Sequence, residues 1–419
     1  MRVVEVPVAV RVSLLSRYAV LPRLAGTSFI PLALMARLPL AKLTLGTLTL
    51  VSVASSSYAL GGLAAGGVGV GAAIGAPVLG WIADRTGQRR VVLIAGLVNA
   101  AAMAAIVAAC YPPGGLHEPH AGMVLPAALA AGLTNPQVGP LARARWMALT
   151  ESRPLRELER DAAFSYEGTA DEVTFVLGPA LVGALAAFVA PWLPLVVAAL
   201  VSAVFVTAFA LHSTAASVRP KPGPRVPAAG SRRPGAWAPV LIPIGAMLAM
   251  GAYFGGTQTA LTAFAGGLRS AEAAGLLYSA LGLTSAVAAL SVAAWPSRFV
   301  LPARWSASAA LLLGATLLLF TPQTLGAMTL VMLLVGIPVG PIMVTVYAIG
   351  GRLAPAGRVG TVMTALASGL VAGVALGAGW AGALAESGGP QSAYTVPITA
   401  AGVLLLLGVV VMVLRRGRG

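Results

Sequence analysis

Charge is what this chain of 419 residues has least of. Asp, Glu, Lys and Arg make up 9% of it, against about 25% in a soluble globular domain. Hydrophobic residues make up 58%, and the mean hydropathy is +0.89. That much apolar surface cannot be hidden from water, which excludes a soluble fold and places the chain in a bilayer. Cysteine is almost absent. Cys110 stands alone, so an intramolecular disulfide and a cysteine metal cluster are both excluded. Histidine is limited to His117, His120 and His212, scattered without ligand spacing. No phosphate-binding Gly-Lys-Ser/Thr loop, nucleophile triad or zinc motif is present, so no enzyme, cofactor or metal is expected. Lysine is reduced to Lys42 and Lys221, and the net charge of +15 rests on Arg. A pI near 11.2 would suit a nucleic-acid binder. The arginines, however, sit in short segments between apolar runs, the pattern of basic loops on one membrane face, and no nucleic-acid partner is expected. The preference for Arg, with the Ala and Gly richness, points to a high-GC bacterial genome.

What is present is a series of long apolar runs. A spanning helix needs about 20 mainly apolar residues. Twelve runs qualify: 26–53, 58–82, 91–111, 122–145, 164–189, 191–211, 237–264, 271–294, 304–320, 325–350, 359–385 and 393–414. Residues 212–235 break the series with Arg219, Lys221, Arg225, Arg232 and Arg233 among several prolines. This basic linker divides two six-helix halves, 26–211 and 236–414. Residues 1–25 read as a cytoplasmic lead-in without a cleavage site, and 415–419 as a cytoplasmic tail. With the N-terminus inside, every Lys and Arg falls in an inner segment except Arg269 and the two in the first run, Arg37 and Lys42. That asymmetry predicts a multi-pass protein of the cytoplasmic membrane with both termini inside.

The halves are weakly repeated. Val138-Gly139-Pro140-Leu141 in the fourth run matches Val339-Gly340-Pro341-Ile342 in the tenth. Trp146 and Tyr347 follow each valine by the same interval, and the same offset aligns Gly178 with Gly379. Gly67, Gly71 and Gly75 in the second run, and Gly369, Gly373 and Gly377 in the eleventh, recur every fourth residue. Such stripes put small residues on one helix face and permit close backbone approach.

The turn between the second and third runs carries Gly80, Asp84, Arg85, Gly87, Arg89 and Arg90. Gly80 allows close helix approach, and Gly87 permits the positive φ of a tight reversal. The nearby arginines would compensate Asp84. The pattern Gly-x-x-x-Asp-Arg-x-Gly-x-Arg-Arg resembles the signature loop of the major facilitator superfamily of secondary transporters. The resemblance covers nearly the whole chain. It implies an all-α membrane protein, twelve spans in two pseudo-symmetric bundles. It further implies that Asp84 meets the start of the eleventh helix as a gate, and that helices two and eleven face each other, where the glycine stripes would form a sliding interface. Gly178-Pro179, followed by Gly183, partly resembles a helix-five signature of the drug/proton antiporter branch, with a single later glycine instead of a pair.

Charge inside a bilayer is costly and points to function. Arg37 lies midway along the first run. Glu167, Asp171 and Glu172 lie in the fifth, the last two roughly 10–15 Å deep at 1.5 Å per residue. Arg37 is expected to pair with Asp171 or Glu172, either as a proton relay or as a static salt bridge. Arg143 and Arg145 are assigned to the basic loop, with neutralisation of Glu167 as the alternative. Candidates for the substrate cavity are Asn135, Gln137, Tyr253, Thr257, Gln258 and Tyr347; each could equally join helices. The cavity would be largely apolar. These readings converge on a monomeric secondary transporter with a small, largely apolar substrate and protons as coupling ion, working in efflux. An uptake carrier or facilitator is the alternative, and a non-transporting membrane sensor a remote one.

Overall fold

The computed structural model describes residues 17–111, 121–218, 237–270, 273–296 and 298–416. The expectations placed on Arg2, Arg11, His117, His120, Arg418 and linker residues 219–235 lie outside them. Among the described residues every regular element is helical. The first half comprises α1 (Phe29–Ser55), α2 (Tyr58–Thr86), α3 (Gln88–Cys110), α4 in two pieces (Ala121–Leu133 and Val138–Thr150), α5 (Arg156–Phe188) and α6 (Leu193–Leu211). The second comprises α7 (Ala238–Gly267), α8 (Ala274–Ala294), α9 (Leu301–Phe320), α10 (Leu325–Leu353), α11 (Val359–Ala393) and α12 (Thr395–Arg416).

Eleven of these are long and apolar enough to cross a membrane. The fourth run is not one continuous helix. Residues 134–137 interrupt it, because Pro136 removes an N–H and pushes Asn135 out of the α region. Hydropathy is blind to that break. A smaller break falls at Ala36 and Arg37 in α1, just ahead of Pro39 in the next turn, and so Arg37 sits at a junction. Pro179 causes no such break: α5 is continuous from Arg156 to Phe188.

The two halves have different interiors. The second is filled by one apolar cluster built around residues such as Met247, Trp305, Met332 and Leu404. The first has two. One surrounds Phe29, Trp146 and Phe209, and the other Leu43, Leu50, Met103 and Ile106. Four helices pass from one cluster to the other through a buried polar residue: Arg37 in α1, Asn99 in α3, Asn135 in α4 and Ser202 in α6. Asn99 donates to the Ala131 carbonyl at 2.6 Å and Ser202 to the Gly96 carbonyl at 3.1 Å. Each such residue must find a partner because an unpaired polar group in the interior is costly.

The glycine stripes do not face each other. Gly67, Gly71 and Gly75 lie against the backbone of Leu129 to Leu133 in α4, and Gly369, Gly373 and Gly377 against Ile244, Leu248 and Ala252 in α7. Both stripes therefore pack helices inside one half. The α2–α11 approach occurs lower, at Gly80, where a Cβ would stand 2.8 Å from the Gly360 carbonyl oxygen. Gly373→Ala places a Cβ 2.8 Å from the Ala252 nitrogen. Overpacking of this kind costs about 1–3 kcal/mol. Its thermal midpoint in detergent is expected to fall, whereas Gly379→Ala, with open space around it, keeps the native value.

Candidate functional site

The halves are latched at the face where α1 begins and α12 ends. Gly87 reverses the chain there with φ of 93°. One turn earlier, the Asp84 carboxylate accepts from the backbone N–H of Gly360 at 2.9 Å, the N–H of Thr361 at 2.7 Å and the Thr361 hydroxyl at 2.6 Å. These donors belong to the first turn of α11, whose N–H groups lack helical partners and carry the positive end of the dipole. The turn's arginines do not compensate Asp84. Arg85 lies over the Trp81 ring, 3.6 Å from its centre, Arg89 and Arg90 are exposed, and none of the three forms an ion pair with Asp84. The helix end takes that role.

Two further carboxylates of the first half reach the second. Asp161 pairs with Arg304 of α9 at 2.9 Å, and Glu157 with Arg352 at the end of α10. Tyr18 donates to the Leu290 carbonyl at 2.6 Å, and Arg17 to the Ala293 carbonyl, both at the end of α8. Burial pushes the Tyr18 hydroxyl up to about 12, so it stays a donor through the physiological range.

Deeper in, Arg37, Arg143, Glu167 and Asp171 form one buried cluster. Arg37 donates to Glu167 and approaches Asp171 at 3.5 Å. Arg143 donates to Asp171 at 2.7 Å. The Trp146 indole donates to Glu167 at 2.7 Å, and the Tyr347 ring covers Arg143, 3.9 Å from its Cζ. Two cations meet two anions, which is the condition for holding charge in low dielectric. Gly139 makes the crowding possible: a Cβ there would lie 2.8 Å from Asp171 Oδ1 and 3.3 Å from Arg37 Nε.

Of the two expected partners of Arg37, Asp171 is present at 3.5 Å and Glu172 is not, and Glu167, which was not expected there, is its main partner. Glu167 and Asp171 are four residues apart and share a face, and Glu172 is turned away by about 100°. Arg143 and Arg145 are not loop residues, since both have no exposed surface. Arg145 meets no described carboxylate within 4.0 Å; it donates to Gln88 at 2.9 Å, the Phe209 carbonyl at 2.9 Å and the Thr214 hydroxyl at 3.0 Å. It thereby ties α4 to the start of α3 and the end of α6.

Glu172 is the isolated acid. It is 6% exposed, it accepts from the Ser285 hydroxyl of α8 at 2.8 Å, and no described Lys or Arg lies within 4.0 Å of it. Nearby, Thr169 donates to the Ala286 carbonyl at 3.0 Å, so α5 and α8 are joined across the halves. The six substrate candidates do not converge. Tyr253 is buried against Thr316 of its own half at 3.0 Å. Asn135 and Gln137 are buried at the break in α4, and Tyr347 belongs to the charge cluster. Thr257 is buried one turn after Tyr253. Gln258 alone is exposed, lining a cavity of about 420 Å³ with Thr259, Thr262, Ala263 and Ala385. That cavity opens at the far ends of α7 and α11, away from the charge cluster. A second void beside Gln137 and Thr364, about 10 Å³, has room for about one water. Gly183 has open space around it and Pro179 is exposed, whereas Val182 between them is buried.

The family model described as Major Facilitator Superfamily matches residues 26–367. The chain belongs to the major facilitator superfamily. Solved structures agree on the fold. The human organic anion transporter MFSD10 (TETRAN) aligns over 94% of this chain and 98% of its own, at 20% identity and a TM-score of 0.62. A bacterial homologue of the iron transporter ferroportin, in an outward-facing state, aligns over 92% and 97%, at 17% and 0.67. The transporter FucP, in the outward conformation, aligns over 94% and 98%, at 14% and 0.64. No curated protein sequence matches the chain.

As a member of the superfamily the protein is a multi-pass membrane transporter. Its two halves touch through carboxylates at one face, and the 420 Å³ cavity lies within the second half near the opposite ends of α7 and α11. Sequence reasoning counted Arg304 and Arg352 only as loop charges and passed over Glu157 and Asp161. The four-residue spacing of Glu157 and Asp161, which puts both on one helix face, was the available signal. Ser285 carried none.

Proposed function

We propose that this superfamily member is a proton-coupled exporter of small, largely apolar molecules. It works as a monomer by alternating access across the cytoplasmic membrane, with both termini inside. The observation that carries the reading is Glu172. An ionised carboxylate buried without a cation bears a large desolvation cost. Uptake of a proton removes that cost, and exposure to water on movement of the halves lets the proton leave. Its one hydrogen-bond partner among the described residues, Ser285, belongs to the opposite half, so the environment of Glu172 changes whenever α5 and α8 separate. Glu167 and Asp171 have arginine partners and serve as the fixed part of the relay. Charged residues make up only 9% of the chain, which supports a largely apolar substrate. The Arg placement along the sequence supports cytoplasmic termini.

The test uses everted vesicles with an inside-acid gradient and a panel of lipophilic cations, antibiotics and neutral metabolites. A compound that collapses the gradient only with the protein present identifies a substrate class. Glu172→Gln alone is expected to remove most substrate-driven proton movement at native abundance, and adding Asp171→Asn to abolish it per molecule accumulated, since Arg143 then loses its carboxylate. Coupling that persists in the double variant sinks the proton role and leaves these acids as structural ions.

A further inference from the structure

We infer that Tyr347 is a positioning residue through which the second half holds Arg143 on Asp171, tying the charge cluster to closure of the halves. The inference rests on the proton-coupled reading above.

The charged members of the cluster all belong to the first half: Arg37 from α1, Arg143 from α4, Glu167 and Asp171 from α5. The second half contributes no charge to it. α8 has no charged side chain between Ala274 and Ala294, and α10 has only Arg352, paired at its end with Glu157. What the second half contributes is a ring. Tyr347 of α10 is 2% exposed and lies 3.9 Å from the Arg143 Cζ.

Arg143 depends on that ring. It has no exposed surface, and among the described residues its Nε and Nη1 have no hydrogen-bond partner and its only hydrogen bond is from Nη2 to Asp171. A buried guanidinium with unpaired N–H groups gains from an aromatic face, and the desolvated cation–π contact is the strong kind. The ring also closes off one side, so the guanidinium plane is held where Nη2 points at Asp171.

The internal repeat sharpens the point. Trp146 and Tyr347 stand at matching positions after Val138-Gly139-Pro140 and Val339-Gly340-Pro341. Trp146 serves Glu167 from within the same half, and that contact travels with the half as a body. Tyr347 serves Arg143 across the boundary, and that contact must slide or break when the halves rock. Water then reaches the guanidinium, and its hold on Asp171 loosens. The charge state of the cluster and the separation of the halves are thereby linked, and linkage works in both directions.

The experiment compares Tyr347→Phe, which keeps the ring, with Tyr347→Leu, which removes it. Tyr347→Met fills the space should Leu not accumulate. The pH profile of transport in vesicles is expected to keep its native midpoint in Y347F. In Y347L it moves upward by about one pH unit, a tenfold change in a protonation equilibrium, since an Asp171 charge less well neutralised by Arg143 favours the proton on neighbouring Glu172. In an Asp171→Asn background, Y347L moves nothing further. An unshifted Y347L, a Y347F shifted as far as Y347L, or the same shift without Asp171 overturns the inference.

A second readout needs no transport. The effects of Tyr347→Leu and Asp171→Asn on the thermal midpoint of the purified protein are expected to be non-additive at neutral pH, since both act through Arg143. Additive effects overturn the positioning role, even if the native protein itself moves no protons. A native protein without proton movement but with a non-additive cycle retires the coupling ion and keeps Tyr347.

Discussion

Arg37→Met is expected to lower the stability of the protein by about 3–5 kcal/mol, the usual cost of leaving one member of a buried ion pair behind. Glu167 has no exposed surface. Without Arg37 it keeps one hydrogen bond, from the Trp146 indole at 2.7 Å, and Arg143 is already committed to Asp171 at 2.7 Å. The carboxylate then becomes a lone charge in the middle of the first half, between its two apolar clusters. The loss should appear as a lower thermal midpoint in detergent and as poorer accumulation in membranes. The second variant decides the cause. Arg37→Met with Glu167→Gln removes both charges, and such paired replacements are often neutral. The double variant is expected to recover most of the lost stability. A double variant as unstable as the single would mean that Arg37 acts through packing at the junction it occupies in α1.

Asp84→Asn is expected to reduce turnover roughly 30-fold at normal abundance. The native carboxylate takes three donors, two of them backbone N–H groups at the start of α11. An amide offers one oxygen, and its NH₂ faces a donor. Hydrogen bonds to a charged group contribute about 1.5–3 kcal/mol each. Losing about 2 kcal/mol from one conformation shifts the balance between conformations by roughly 30-fold, at 1.4 kcal/mol per tenfold. A transporter needs both conformations, so the cycle stalls in the one no longer opposed. Maleimide labelling tests this directly. A cysteine at Met147, which lies against Gly351 of the other half, should react faster in Asp84→Asn with Cys110 replaced by Ser. Native turnover with unchanged labelling would remove Asp84 from the gate.

The two variants probe different layers of one design. The latch at the face of the chain ends uses carboxylates of the first half on donors of the second, and it can open without exposing unpaired charge to lipid. The deeper cluster balances its charges within the first half and can stay intact while the halves move. Glu172 and Tyr347 are the exceptions, since each has its contact across the boundary. Movement should therefore act chemically at those two positions.

Much of this protein is determined by sequence alone. Membrane residence follows from 9% charge and 58% hydrophobic residues, because apolar surface on that scale has no aqueous solution. Run lengths set the spans, and the contact of Asp84 with the start of α11 follows the resemblance carried by its turn. Such features are local or compositional. The tertiary structure alone decided partners. Spacing says that Gly67, Gly71 and Gly75 share a face, but only packing shows that the face meets α4. Arg37 could meet any of three acids on α5, and the choice depends on the rotation of one helix against another at the break before Pro39. Arg143 and Arg145 were read as loop charges because hydropathy falls wherever arginine stands. Their burial was decided by Asp171, Gln88, Thr214 and two aromatic rings, all distant in sequence. A buried charge is stabilised by the groups that surround it, and which groups surround it is settled when the helices pack.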